Sequence, residues 1–157
     1  MTEARAFQRP NAAERLLNRA VGVLVRLGLA PAHMRLLEVR GRRTGRRYTL
    51  PVDLLVERDR LYLVAPRGAT QWVRNVEVTG EVTLRRGRER GVYRARPLSP
   101  AEKPAVLKAY LDRFRREVQR YFPVRAGSSV EAFVPLTHRY PAFELLPAPA
   151  AARSAPP

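Results

Sequence analysis

Val39-Arg40-Gly41-Arg42-Arg43-Thr44-Gly45-Arg46-Arg47-Tyr48, in the first third of the chain, places five arginines around two glycines. Apolar runs typical of strands lie on both sides, so the segment is predicted to be a loop between two strands. Gly41 and Gly45 allow positive φ angles and close approach of a ligand to the backbone. Arginine guanidinium groups bind phosphate or carboxylate through paired hydrogen bonds. The segment is therefore either an anion-binding loop or a basic, solvated hairpin turn.

The net charge of +16 is carried almost entirely by arginine, because only Lys103 and Lys108 among the 30 basic residues are lysines. Arginine, alanine, proline and glycine all have GC-rich codons, and a nucleic-acid-binding protein would gain from either basic residue. The composition therefore favours genome bias over selection for a polyanion. A length of 157 residues with 45% hydrophobic content predicts one domain with a real core.

Several classes of site are excluded by residue content. The chain has no cysteine, which excludes disulfides and thiolate metal sites. His33 and His138 are far apart and neither lies in a metal-binding motif, so we predict no metal site. No uninterrupted apolar run approaches the ~20 residues that a membrane span needs. We expect a cytoplasmic protein, with membrane association as the alternative.

The segment from Asn11 to Gly28 predicts an amphipathic first helix. Asn11 and Glu14 have the spacing of a capping box, and Gly28 marks the C-terminal end. The apolar positions have helical spacing and form one broad face: Leu16, Leu17, Ala20, Val21, Leu24, Val25 and Leu27. We expect this face to pack on the core, and the alternative is a peripheral contact with an anionic membrane surface.

The rest of the chain predicts two antiparallel hairpins, a long helix and a closing strand. The predicted strands are Leu36–Val39, Tyr48–Val56, Leu61–Val64, Glu81–Arg85, Arg90–Arg96 and Ala142–Leu146; the predicted helices are Gln71–Val78, a long one from the Ser99–Glu102 capping box to Phe122, and Ser129–Leu136. This order is typical of an α+β fold. We expect one domain over residues 1–146 and a disordered Ala/Pro-rich tail over residues 147–157.

Two motifs resemble those of a known family. Gly41-Arg42-Arg43-Thr44-Gly45 is followed six residues later by Pro51, and Trp72-Val73-Arg74-Asn75-Val76 comes downstream. This arrangement is similar to the deazaflavin-dependent nitroreductases, which use coenzyme F420 and belong to the split β-barrel flavin-binding superfamily. The match spans Met34 to Leu84, with a weaker echo at Arg139-Tyr140-Pro141. The family's arginine three residues after the second glycine is Tyr48 here, and the loop from Ala65 to Gln71 is shorter than in the well-known nitroreductases.

The resemblance implies a split β-barrel of about six antiparallel strands with flanking helices, and it implies roles for individual residues. Arg42, Arg43, Thr44 and Gly45 would hold the phosphate and the start of the polyglutamate tail of F420, and Arg46 and Arg47 would substitute for the missing arginine. Pro51 and the backbone of Val52 would lie against the deazaflavin ring. Trp72 and Asn75 would close the far side of the groove. Tyr140 is a candidate for the substrate pocket, with a role at the entry of the last strand as the alternative.

The function that follows is an F420-dependent oxidoreductase that passes a hydride to a quinone, a nitro compound or a similar electrophile. Orientation of the coenzyme supplies most of such catalysis, which agrees with the absence of a catalytic triad or paired carboxylates. One alternative is a split-barrel protein that binds FMN, or one that binds F420 without turnover. The other is a basic nucleic-acid-binding module. The expected partners are a small-molecule cofactor and its acceptor, in a monomer or a homodimer.

Overall fold

The computed structural model describes residues 11–149 and has an α+β fold with one seven-stranded antiparallel sheet. The strands are β1 (Met34–Arg40), β2 (Arg47–Asp53), β3 (Leu55–Glu57), β4 (Arg60–Val64), β5 (Glu81–Arg86), β6 (Glu89–Pro97) and β7 (Ala142–Pro147). The α-helices are α1 (Ala12–Arg26), α2 (Gln71–Thr79), α3 (Lys103–Arg113) and α4 (Arg115–Val118), and 3₁₀ segments cover Gln119–Tyr121 and Val130–Leu136. The order across the sheet is β2-β1-β5-β6-β7-β4-β3.

The sheet is curled into a half-barrel. Only Leu54 separates β2 from β3 in the chain, yet these two strands form opposite edges of the sheet. The two edges must therefore converge at this residue, whose backbone N–H donates to the carbonyl of His33 at 2.9 Å. The predicted split β-barrel is confirmed. The single strand predicted over Tyr48–Val56 is two strands, which gives seven rather than six.

Local sequence signals correctly predict where several elements begin. Asn11 and Glu14 form the reciprocal hydrogen bonds of a capping box at the start of α1. Ser99 and Glu102 form the same pair of bonds, at 2.8 and 3.3 Å, but α3 itself begins at Lys103. The predicted long helix also ends early, because the backbone leaves helical geometry at Phe114.

The prediction that the apolar face of α1 packs on the core is wrong for most of that face. Leu16, Leu17 and Leu27 are each more than 60% exposed, and among the residues of α1 only Gly22 and Val25 are buried. Part of α1, including Leu17 and Val21, lines a cavity instead of packing on the core. Among the described residues, none of the helices has the length and apolar character needed to cross a bilayer.

The core consists of two main clusters of buried apolar side chains. One lies between the sheet and α2 and includes Leu37, Val73 and Phe143. The other lies beneath α3 and the 3₁₀ segments and includes Leu111 and Phe133. The last strand continues through Pro147, and the N–H of the next residue donates to the carbonyl of Val92, so the ordered domain passes residue 146. The rest of the predicted tail, from residue 150, lies outside the described residues.

Candidate cofactor and active site

The arginine-rich segment forms a tight turn between β1 and β2. The N–H of Gly41 donates to the carbonyl of Arg46 at 2.7 Å, and the N–H of Gly45 donates to the carbonyl of Gly41 at 2.9 Å. Gly45 has φ of 69°, a left-handed conformation that favours glycine. The hydroxyl oxygen of Thr44 accepts the N–H of Arg46 at 3.3 Å. The turn is therefore held closed by its own backbone, independently of its arginine side chains.

Arg42 is anchored to α2. Its Nη1 donates to Oδ1 of Asn75 at 2.8 Å and to Oε1 of Gln71 at 3.1 Å, and its backbone N–H donates to the same Asn75 oxygen at 3.1 Å. Asn75 is only 5% exposed. The two motifs recognised in the sequence are therefore joined directly, and Asn75 orients the arginine loop.

The other arginines of the segment face different surroundings. Arg43 is exposed, lines the cavity described below and has no ion pair or side-chain hydrogen bond among residues 11–149. Arg47 points elsewhere, because its Nη1 lies 3.6 Å from Oε1 of the buried Glu38, which Arg85 also approaches at 3.6 Å. Arg46 is exposed and does not line the cavity, so the structure brings only Arg42 and Arg43 of the five arginines to it.

A cavity of about 1150 Å³ lies beside this turn. Its walls include predicted site residues from both motifs: Arg42, Arg43, Thr44, Pro51, Val52, Trp72 and Asn75. Gly45, Arg46 and Arg47 are not part of its lining. Trp72 has two roles, since it lines the cavity and also packs against Phe143 with ring centroids 6.1 Å apart.

The loop that precedes α2 adds polar groups to the same cavity. Thr70 occupies the N-cap of α2, but its hydroxyl makes no capping bond and has no hydrogen-bond partner among the described residues, although it is buried. Nε of Arg67 is buried and unpaired in the same way. The start of a helix attracts anions through its free N–H groups. These unsatisfied donors beside Arg42 suit an anionic ligand.

Arg67 also joins this loop to α1. Its Nη2 donates to Oε2 of Glu14 at 2.9 Å, and its guanidinium lies over the ring of Tyr121, 5.4 Å from the centroid. The hydrogen bond from Arg67 lowers the pKa of Glu14, and the capping bond from the Asn11 N–H lowers it further. Glu14 is therefore both a helix cap and a contact that ties α1 to the cavity.

Titratable side chains lie at another part of the cavity wall. Nε2 of His33 is 3.5 Å from Oδ1 of Asp53, and the His33 ring packs against Phe114 with centroids 5.0 Å apart. Burial raises the pKa of Asp53, an effect that His33 opposes and Glu117 reinforces. Burial likewise raises the pKa of Tyr110, with a further contribution from Asp53.

Tyr140 does not line the cavity. It is 4% exposed, its ring stacks on Phe122 at 4.4 Å between centroids, and its hydroxyl donates to the carbonyl of Tyr121 at 2.5 Å. These contacts make it part of the core, so the suggested place in the substrate pocket is wrong. Tyr110 and Tyr121 pack against the core cluster beneath α3 and also line the cavity.

The residues on one side of the cavity could not be recognised from the sequence. The residues missed there come from α1, from its connection to β1, from the end of β2 and from the loop before α2: Glu14, Leu17, Asn18, Val21, His33, Asp53, Arg67 and Thr70. The adjacency of Asp53 to Val52 is the one local signal that could have indicated any of them. The others meet only through long-range folding.

Comparison with known families identifies the chain. The model of the F420H(2)-dependent quinone reductase family matches residues 11–128. The chain belongs to this family. It is accordingly an oxidoreductase whose coenzyme is F420, and the resemblance to F420-dependent split-barrel reductases is confirmed. A comparison with curated proteins gives no significant match.

Solved structures support the fold of this F420-dependent reductase. The protein Atu2129 of unknown function from Agrobacterium tumefaciens is 17% identical with a TM-score of 0.57; the match covers 89% of this chain but only 59% of that protein. An F420-H2 dependent reductase, FDR-A, is 18% identical with a TM-score of 0.51, over 73% of this chain and 95% of that one. The heme storage protein HutZ from Vibrio cholerae is 12% identical with a TM-score of 0.53, over 75% and 83%.

Proposed function

We propose that the β1–β2 turn and the start of α2 hold the anionic end of F420, with the deazaflavin ring against Pro51 and the backbone of Val52. The observation that carries this proposal is that Arg42 is fixed by Asn75 at the edge of the cavity that Pro51 and Val52 also line. Charge-assisted hydrogen bonds from oriented guanidinium groups bind phosphate and carboxylate strongly. In this arrangement Arg43 and Thr44 contact the phosphate and the start of the polyglutamate tail, and Trp72 closes the groove.

We further propose a quinone, or an electrophile of similar shape such as a nitroaromatic compound, as the acceptor. The reduced coenzyme, when bound, supplies a hydride from its ring. The remaining part of the cavity has an apolar wall formed by Leu17, Val21, Met34 and Leu50, which suits a flat hydrophobic ring and excludes water. The protein then has to orient the coenzyme ring and the acceptor ring and to supply one proton.

Binding is tested by titrating the purified protein with F420 and with FMN while following fluorescence. We expect F420 to bind at micromolar concentration and FMN to bind much more weakly, because FMN lacks the polyglutamate tail. The absence of F420 binding would refute the assignment of the cavity. A preference for FMN would favour the alternative of an FMN-binding split-barrel protein.

Turnover is tested by mixing the complex of the protein and reduced F420 with a soluble quinone and, separately, with a nitroaromatic compound. We expect oxidation of the coenzyme to depend on the acceptor and to be faster with the quinone. F420 binding without any acceptor-dependent oxidation would indicate a binding protein. Salt-sensitive DNA binding with no effect of F420 would support the nucleic-acid-binding alternative.

We also propose that α1 makes a peripheral contact with anionic membranes. The support is its exposed apolar face, including Leu16 and Leu24, with Arg15 and Arg19 on the same helix. Co-sedimentation with vesicles that contain anionic lipid should fall when Leu16 is replaced by Ser. Binding unchanged by this replacement would contradict the contact.

An alternative is that the exposed apolar face of α1 is buried in a homodimer. One protein of similar fold, 18% identical, is described as a domain-swapped dimer. Light scattering distinguishes the two.

A further inference from the structure

His33 and Asp53 form a polar pair in the wall of the cavity. Both line the cavity, and Asp53 directly follows Val52 at the end of β2. Nε2 of His33 is 3.5 Å from Oδ1 of Asp53, which is too long for a good hydrogen bond. That oxygen is buried and has no hydrogen-bond partner among the described residues. Such a buried and incompletely satisfied carboxylate costs stability, so its presence calls for a function.

The backbone fixes the two side chains relative to each other. Asp53 is opposite Met34 in the β1–β2 register, so His33 lies just outside the last pair of the ladder. The carbonyl of His33 accepts the N–H of Leu54 at 2.9 Å. Phe114 packs against the imidazole ring and restricts its rotation. The pair is therefore placed by the same hairpin that carries the arginine turn at its other end.

We propose that His33 is the acid that delivers a proton to the acceptor during its reduction, and that Asp53 is the positioning residue that holds the imidazolium. This proposal rests on the proposed function, because it names the source of the proton that must reach the acceptor together with the hydride. A carboxylate behind a histidine orients the ring and fixes which nitrogen is free. With Nε2 directed at Asp53, Nδ1 is the nitrogen left to face the acceptor.

The step balances as follows. A quinone oxygen receives the hydride, with its two electrons, and the other oxygen becomes an anion. The Nδ1–H bond of His33 breaks and an O–H bond forms on that anion, which gives the hydroquinone. His33 is left neutral, keeps its Nε2–H toward Asp53 and regains a proton from water before the next turnover. The two electrons come from the reduced coenzyme that this enzyme family uses.

Other ionisable groups surround the pair and set its pH dependence. Glu117 of α4 and Tyr110 of α3 interact electrostatically with Asp53, and Tyr121 interacts with Tyr110. Arg116 and Arg120 line the same cavity, as do Glu14 and Arg67. Because these groups face the pair, the pH dependence of quinone reduction should change when His33 is replaced.

The first test compares His33→Gln with His138→Gln, since His138 is the only other histidine and is exposed outside the cavity. F420 affinity should stay within about twofold in both variants. At pH 6, His33→Gln should slow quinone reduction by roughly 100-fold, the usual scale of general acid catalysis, and should change the pH profile of the rate. His138→Gln should behave as wild type. An unchanged rate and pH profile in His33→Gln would overturn the proposal. Failure of the wild-type protein to bind F420 would overturn the proposed function instead.

The second test needs no coenzyme. Because burial raises the pKa of Asp53 above its usual value, the ionised carboxylate destabilises the fold at high pH and the penalty disappears as the pH falls. Asp53→Asn should therefore raise the Tm of the coenzyme-free protein at pH 8, with a gain that shrinks towards pH 4. A lower Tm at pH 8 would mean that Asp53 is a structural residue and would overturn its positioning role. In the same variant with coenzyme, quinone reduction should slow and its pH profile should shift, which a purely structural residue would not cause.

Discussion

The side chain of Asn75 holds Arg42 by two separate hydrogen bonds, one at 2.8 Å to Nη1 and one at 3.1 Å to the backbone N–H. One buried amide oxygen thus fixes both the path of the loop and the direction of its guanidinium group. Asn75 of the downstream motif is therefore expected to act on the coenzyme through Arg42 of the upstream one.

Asn75→Ala should reduce F420 affinity about tenfold, because Arg42 loses its orientation. The loss of a hydrogen bond to a charged group corresponds to ~1.5–3 kcal/mol. The measurement is a double-mutant cycle with Arg42→Ala. The double variant should bind only slightly more weakly than Arg42→Ala alone. Additive losses in affinity would mean that the two residues act independently.

Arg43→Ala should weaken F420 binding by about 1.5–3 kcal/mol, the scale of a charged hydrogen bond, which is roughly tenfold or more in affinity. The matched control is Arg88→Ala, which removes the same charge from the exposed β5–β6 turn outside the cavity. The difference between the variants should persist at high salt, because only long-range attraction is screened. Equal losses of F420 affinity at the two positions would mean that the arginine turn contributes only its net charge.

Gly45→Ala should destabilise the protein by about 1–2 kcal/mol, the usual cost of a left-handed conformation for a residue with a Cβ, and should also lower F420 affinity. Gly127 provides a close control, because it has φ of 86° and, like Gly45, open space where a Cβ would lie. Gly127→Ala should lose similar stability without any change in F420 affinity. Denaturant unfolding and fluorescence titration measure the two effects. An equal loss of F420 affinity in both variants would mean that the lower stability of the fold, and not the turn itself, weakens binding.

Glu102 provides a test of stability against pH. Hydrogen bonds from Arg96 lower its pKa from 4.5 to about 2, with a further contribution from the Ser99 N–H. A lowered pKa in the folded state means that the stabilisation is fully present above pH 4.5 and is lost as the pH falls towards 2. Glu102→Gln should therefore lower the Tm at pH 7, and its difference from wild type should vanish near pH 2. Glu57→Gln, at an exposed position without an ion pair among the described residues, should change the Tm at neither pH.

Local interactions explain which parts of the fold could be predicted. Asn11 and Glu14 lie three residues apart, so the start of α1 follows from the sequence alone. The division of Tyr48–Val56 into two strands could not be predicted, because Leu54 leaves the β1 ladder only when the sheet curls. The end of α3 at Phe114 is equally non-local, since that ring packs on His33 from a distant part of the chain.

The candidate site, like the fold, has parts that local sequence signals predict and parts that depend on long-range folding. The motif residues Arg42, Pro51 and Trp72 could be proposed because their motifs resemble those of a known family, and they line one cavity. The His33–Asp53 pair spans twenty positions and has no motif, so only the register of β1 against β2 brings it together. Tyr140 was misplaced because the tyrosine type fits a cavity wall and a core equally well; its stacking on Phe122 decides in favour of the core.

The position of β7 has a consequence for synthesis of the chain. This last strand of the described residues pairs with β6 on one side and β4 on the other, so it is an interior strand of the sheet. While the polypeptide is still being made, β6 and β4 each present a row of unpaired backbone groups, and the two parts of the sheet are joined by no strand. Open edges of this kind invite pairing with other chains. A nascent chain that stalls before Ala142 is therefore expected to aggregate, because β7 has not yet covered the open edges of β6 and β4.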